Sequence, residues 1–281
     1  MRLSNTVRAR LKSIAFYYLG QKLNRRQDEI IMLDEIHKDI KRLGRQWEST
    51  LINTTPHVLD LSIKSYFVHG TPMVSYAGID PGKTQVEFGD VLYVYTETDL
   101  KHKVRENAIL YQAKKYSSSS VDAHQLKLYL NWPSFWFTKK AMSKKKYNVV
   151  TYPNPHPGAR YLLLDNSSSN PYFASTMTPT PNLKANLYDG FLFNELVGLL
   201  DFTSGRELKG DWGEAIEEVK NDILINKKKF RKTLRNQPLL YLEGRDSTLF
   251  SDERDFTNGD SKGFWLVHIK SSVTSLEYRE D

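Results

Sequence analysis

Apolar residues at Leu3, Val7, Leu11, Ile14, Ala15 and Tyr18 recur every three or four positions, which puts them on one face of a helix over residues 3–19, with Gly20 as its stop. A longer run with the same period follows from Asp28 to Leu51: Ile30, Ile31, Leu33, Ile36, Ile40, Leu43, Trp47 and Leu51. This is the strongest helical pattern in the chain, and Gly44 is the point at which it would bend or divide. Asn53–Pro56 break the period, and residues 57–68 read as either a strand or a short helix. Pro72, Gly78 and Asp80-Pro81-Gly82 are turn residues.

The period then changes. Val86–Thr96 is rich in β-branched and aromatic residues, and Ala108–Lys114 is apolar on both faces until its polar end, as expected of a strand buried in the middle of a sheet. Between them, Glu97–Asn107 is charged and long enough for a hairpin loop. Ser117–Ser120 reads as a loop, Val121–Leu130 as a helix, and Tyr161–Leu164 as a short strand after a Pro- and Asn-rich link at 152–158. Residues 166–184, rich in Ser, Thr, Pro and Asn, read as an extended loop. Helices are expected at 190–201 and 213–234, and a late strand at Gly263–Lys270. No internal repeat is present. The alternation of elements predicts an α/β fold. Residues 1–165 hold basic N-terminal helices and an α/β core, and 166–281 form a C-terminal extension, either within the same domain or as a second unit.

Composition narrows this picture. The 281 residues are 40% apolar, 26% charged and 12% aromatic, which is a globular rather than a disordered balance. The absence of cysteine excludes disulfides, thiolate zinc sites and a cysteine nucleophile, and fits a reducing, cytoplasmic setting. No stretch approaches the roughly 20 apolar residues of a membrane span. The net charge is +7, and residues 1–27 hold seven Arg or Lys residues and no acid. An acid-free, Arg-rich start also resembles a transit peptide, but a basic first helix is the favoured reading. Two further basic clusters, Lys139-Lys140 with Lys144–Lys146 and Lys227–Lys229 with Arg231-Lys232, suit a polyanion equally as well as they suit solvated, acid-balanced surface.

Several chemistries find little support. The seven histidines show no HxH or HExxH spacing. Gly82-Lys83-Thr84 lacks the phosphate-loop glycine, since residue 77 is Ala, and no Gly-x-Ser-x-Gly elbow occurs. Trp132, Phe135, Trp136 and Phe137 could stack on bases, but core packing is favoured.

One constellation remains. Asp90, in Glu87-Phe88-Gly89-Asp90, is followed 22 residues later by Gln112-Ala113-Lys114. Side chains alternate along a strand, so Gln112 and Lys114 share a face. If the two strands pair antiparallel, Asp90 at the start of one lies near Lys114 at the end of the next. An Asp carboxylate, the Gln112 amide oxygen and the Ala113 carbonyl suit Mg²⁺, which takes oxygen ligands and keeps several waters. Lys114 could position a water or stabilise phosphorane-like charge. The plain alternative is a structural Asp90–Lys114 ion pair.

The stretch EFGDVLYVY…ILYQAKKY resembles the PD-(D/E)xK nuclease core, in which Asp opens one strand and (D/E/Q)xK closes the next. The resemblance runs only from Glu87 to Tyr116. It implies a restriction-endonuclease-like central mixed sheet flanked by helices, and a Mg²⁺- or Mn²⁺-dependent endonuclease acting on DNA, with RNA the alternative substrate, and with bacterial anti-phage defence among the roles of such proteins. By the resemblance, Asp90 is the metal-binding Asp, Gln112 the variable second ligand and Lys114 the invariant Lys. The superfamily often adds a Glu from the preceding helix. Glu48 is the first candidate for that role, ahead of Glu35, Asp39 and Glu87. The competing expectation is a non-catalytic subunit of the same fold that binds nucleic acid or docks a protein partner.

Overall fold

The computed structural model describes residues 1–19, 29–80, 82–115, 122–152, 156–164, 173–176, 190–233 and 263–276. Its centre is a mixed sheet of seven strands. Six run across it in the order β1 (Val58–His69), β10 (Gly263–Val273), β4 (Val91–Asp99), β5 (Val104–Lys115), β7 (Ala159–Leu164) and β8 (Phe173–Thr176), and β9 (Arg206–Glu207) joins β5. β4 and β5 are antiparallel, while β10 is parallel to β4 and β7 is parallel to β5. A smaller sheet is formed by β3 (Val86–Glu87), β2 (Met73–Tyr76) and β6 (Phe135–Phe137).

Strand alternation divides the core into two layers. Val91, Tyr93, Tyr95, Ile109 and Tyr111 face the apolar sides of α1 (Asn5–Leu19), α2 (Glu29–His37), α3 (Ile40–Thr54) and α5 (Leu192–Leu200). Leu92, Val94, Ala108 and Leu110 face the opposite layer. There α4 (Ala123–Asn131), α6 (Gly210–Thr233) and the small sheet supply Leu128, Trp132, Phe135, Phe137 and Trp212. The mixed sheet flanked by helices agrees with the α/β expectation. Trp132, Phe135 and Phe137 are buried, so they pack the core and present no face to a base; Trp136 is half-buried, with the Lys146 amine 5.7 Å from its ring centre.

Four expectations are revised. The pattern at 28–51 is two helices, and the break falls at Lys38–Asp39 instead of at Gly44. Gly44 serves a different need: a Cβ there would sit 3.1 Å from Ile63 Cγ1, so its absence lets α3 lie close on β1. Residues 86–96 are not one strand, because Val86–Glu87 pairs with β2 in the small sheet and β4 begins only at Val91. Within 97–107 the strands continue almost to the turn, leaving residues 100–103 between them. Within 166–184, residues 173–176 form a strand on β7, and the rest lies outside the described residues. The late strand, expected at 263–270, spans 263–273 and is inserted between β1 and β4, so residues 166–281 contribute to the same core as residues 1–165.

The basic clusters are partly balanced. Lys139 pairs with Asp222, and Lys145 with Asp211 and Glu214. The side chains of Lys227–Lys232 lie outside the described residues, as do Lys22, Arg25 and Arg26. Among the described residues, no helix is long and apolar enough to cross a membrane.

Candidate active site

Asp90 sits where the chain leaves the small sheet and enters β4. Phe88 N–H donates to Pro72 O (2.7 Å), whereas two residues later Asp90 N–H donates to Tyr111 O (2.8 Å) and Asp90 O accepts from Trp265 N–H (2.9 Å). Main-chain bonds to β5 and β10 therefore fix the Asp90 backbone from both sides. Gly89 makes the transfer between sheets possible: a Cβ on it would lie 2.7 Å from Leu110 Cδ1 and 3.0 Å from the Tyr129 hydroxyl. The register of β4 on β5 pairs Val91 with Tyr111, which brings Asp90 beside Gln112.

The Asp90 carboxylate faces a cavity of about 210 Å³ shared with Glu29, Glu87, Gln112, Ala113 and Lys114. Its Oδ2 accepts from the Ala113 N–H at 2.7 Å and from the Gln112 side-chain amide. Burial pushes the Asp90 pKa up from 3.8 to about 8, and the charges of Glu87 and, less strongly, Glu29 add to the rise. The Ala113 N–H and the charge of Lys114 act in the opposite direction without cancelling it. Lys114 lines the cavity but makes no ion-pair contact with Asp90, so the two are not a simple structural pair.

Gln112 is held differently from expectation. Its nitrogen points at Asp90, and its oxygen accepts from the amide of Gln125 on α4, whose nitrogen also donates to Glu87 O at 3.2 Å. The Gln112 carbonyl is thus committed to a neighbour, and in this arrangement Gln112 orients Asp90 instead of presenting an oxygen to the cavity. Gln125 and Tyr129, four residues apart on one face of α4, together hold the bend before Asp90: the Tyr129 hydroxyl donates to Phe88 O at 2.8 Å. Sequence reasoning missed both residues. Their i, i+4 spacing on the helix after Gln-x-Lys places them on one face, but nothing in it shows which carbonyls they meet.

An acid of α2 also lines this cavity. Glu29 accepts from the Lys115 N–H at 3.3 Å and lines the Asp90 cavity. Glu48 does not reach it: it accepts from the Leu61 N–H at 3.4 Å in a separate groove between α3 and β1. Glu35 pairs with Lys38 at 3.5 Å and Asp39 with Arg42 at 3.2 Å. The break at Lys38–Asp39 explains the difference, because α2 turns toward the end of β5 while α3 packs along β1. Glu87 does reach the cavity. Alternation along a regular strand would have turned it away, but it belongs to another sheet, and the bend at Phe88–Gly89 brings it round.

Three carboxylates, from Glu29, Glu87 and Asp90, therefore line one small cavity next to Lys114. No group of three or more His, Asp or Glu side chains among the described residues is gathered closely enough to hold a metal ion by protein ligands alone. Mg²⁺ takes six oxygen ligands and usually keeps several of them as water, so one or two protein carboxylates can suffice for it. A buried Asp that holds its proton to about pH 8 fits such a cation, since a divalent charge would replace the proton and offset the mutual repulsion of the acids. Comparison of the chain with protein-family models, curated proteins and solved structures gives no match.

Proposed function

We propose that this protein is a metal-dependent nuclease of the PD-(D/E)xK type that hydrolyses phosphodiester bonds, in DNA rather than RNA. The observation that carries this reading is the convergence of Asp90 and the Gln112-Ala113-Lys114 strand end on one cavity that also receives Glu29 and Glu87. A Mg²⁺ or Mn²⁺ ion held by Asp90 with Glu29 or Glu87 would lower the pKa of a bound water and neutralise charge on the phosphate. The chain's own residues account for the remainder. Gln112 and the Ala113 N–H aim one carboxylate oxygen of Asp90, leaving the other for a cation. Lys114 contributes a positive charge beside the site of attack, where it can hold the water or stabilise the developing oxyanion. The cavity's burial strengthens each of these electrostatic effects.

The test is incubation with plasmid DNA and with RNA, in Mg²⁺, in Mn²⁺ and in chelator, using wild type, Asp90→Ala and Lys114→Ala. Cation-dependent cleavage of DNA that falls about 100-fold or more in both variants is expected. Cleavage that persists in chelator, or in Asp90→Ala, contradicts the reading. A second reading is favoured by one observation: the Gln112 carbonyl is engaged by Gln125 and so unavailable as a ligand, which suits a fold that binds nucleic acid without turnover. Salt-sensitive binding that survives both substitutions, with no cleavage under any condition, would support it.

A further inference from the structure

The helices α1 and α5 cover one face of the main sheet, and their contacts show which way each runs. The Met1 amine donates to Leu200 O at 2.8 Å and pairs with Glu97, so the start of α1 and the end of α5 lie toward the hairpin end of β4. Their other ends lie toward Asp90. Asp90 N–H donates to Tyr111 O, and Tyr111 pairs with Arg160 across β5 and β7. The Arg160 side chain reaches Glu195, in the first turn of α5, at 4.0 Å. Phe193, two residues earlier, meets Phe16 of α1 edge-on, with 5.5 Å between ring centres, and stacks on Phe191.

This end of the helix pair is aromatic and basic. Phe16 is 52% and Tyr17 72% exposed. The face that α1 turns to the core is Val7, Leu11, Ala15 and Leu19, so the two rings belong to its outward face and fill no interior space. Lys12 stands one turn before Phe16, and Arg10 two turns before Tyr17, about 10 Å along the axis. Among the described residues neither Arg10 nor Lys12 has an acidic partner, whereas Arg8 is held by Asp201 at 2.5 Å. No acid of either helix opposes these cations: α1 has none, and Glu195 of α5 is buried.

Exposed cations attract phosphate, and exposed flat rings attract a flat apolar partner of similar size. A single DNA strand brings both, since its backbone follows positive charge and its unpaired bases stack on aromatic side chains. A duplex offers the phosphates but keeps its bases stacked on one another. A lipid surface fits less well, because the continuous apolar face of α1 is the buried one and the outward face carries Thr6, Arg10 and Ser13. We infer that Phe16 and Tyr17, with Arg10 and Lys12, form a stacking platform for a single-stranded DNA segment that leads toward Asp90. The inference takes its ligand from the nuclease reading and narrows the substrate to DNA with an unpaired stretch beside the scissile bond.

The experiment uses the full chain in chelator, with a fluorescein-labelled 20-nucleotide oligo-dT and a blunt 20-base-pair duplex as anisotropy probes. Phe16→Ala/Tyr17→Ala should bind the single strand at least about tenfold more weakly, a difference of about 1.4 kcal/mol, and the duplex within about twofold of wild type. Phe16→Tyr/Tyr17→Phe, which keeps both rings, should bind the strand as wild type does. Iododeoxyuridine in the strand should photo-crosslink to Phe16 or Tyr17. Unchanged affinity of the alanine variant for the strand, an equal loss for the duplex, no rescue by the ring-keeping variant, or crosslinks confined to other segments overturns the inference. Loss of adsorption to phosphatidylserine vesicles, or of self-association, while the strand still binds would assign the face to lipid or to a second copy and overturn it as well. The two readings fail separately. Mg²⁺-dependent cleavage with no binding defect in the alanine variant removes the platform alone. The defect and the crosslink, without cleavage in Mg²⁺ or Mn²⁺, keep the platform and remove the nuclease.

Discussion

At the scale of single residues, Asp90 is the most informative group. Its folded pKa of about 8 lies above the ordinary 3.8, so the native state holds a proton that the unfolded chain releases. Stability contributed by this group is present at acid pH and is lost progressively as pH rises from about 4 to about 8. The isosteric, uncharged Asp90→Asn variant avoids that loss and can still accept from the Ala113 N–H. Thermal unfolding across pH 4 to 9 should therefore show the variant gaining on wild type as pH rises, with the gap widest above pH 8. Adding Mg²⁺ at pH 8 should narrow the gap by stabilising wild type alone. A variant less stable than wild type at pH 8 without cation would mean that Asp90 is not strained by its burial. The residues that hold Asp90 were only half legible. Gln112 and Lys114 stood out because an apolar strand running into Gln-x-Lys is unusual. Gln125 did not, since a glutamine on a short helix carries no mark of the carbonyl it will meet.

At the scale of elements, the site depends on where two chain breaks fall. The break at Lys38–Asp39 divides one apolar period into α2 and α3 and sends Glu29, not Glu48, to the cavity. Period alone could not locate it, because Ile36 and Ile40 keep the spacing across the break. The two acids make a direct test. Glu29→Gln should lower cation-dependent cleavage at least about tenfold, whereas Glu48→Gln should leave it unchanged. The reverse order of effects would return the role to α3. The second break, at Phe88–Gly89, lets one short stretch serve two sheets and delivers Glu87 and Asp90 to the same space. Gly89 is not legible as the passage between sheets, because the neighbours that exclude a side chain there, Leu110 and Tyr129, come from β5 and α4.

At the scale of the whole molecule, the late strand β10 organises the sheet. It lies between β1 and β4 and donates Trp265 N–H to Asp90 O, so a segment more than 170 residues away in sequence fixes the backbone of the site. A chain ending at residue 262 would leave β4 with an exposed apolar edge and remove Trp265 and Val267 from the core that they share with Tyr93. It should lose cooperative unfolding and aggregate on expression, as judged by near-ultraviolet circular dichroism and size-exclusion chromatography. A soluble, cooperatively unfolding product would show that β1–β9 form a self-sufficient core.

Local chemistry was enough to determine the α/β class, the strand that ends in Gln-x-Lys, the strand at 263–270 and the burial of Trp132, Phe135 and Phe137, because periodicity and side-chain size act over a few residues. Tertiary packing alone decided which acid joins Asp90, which way the Gln112 amide turns, and that β10 enters the sheet between β1 and β4. Those outcomes depend on groups far apart in the chain competing for the same hydrogen bonds and the same buried volume, and a linear pattern records the competitors but not the winner.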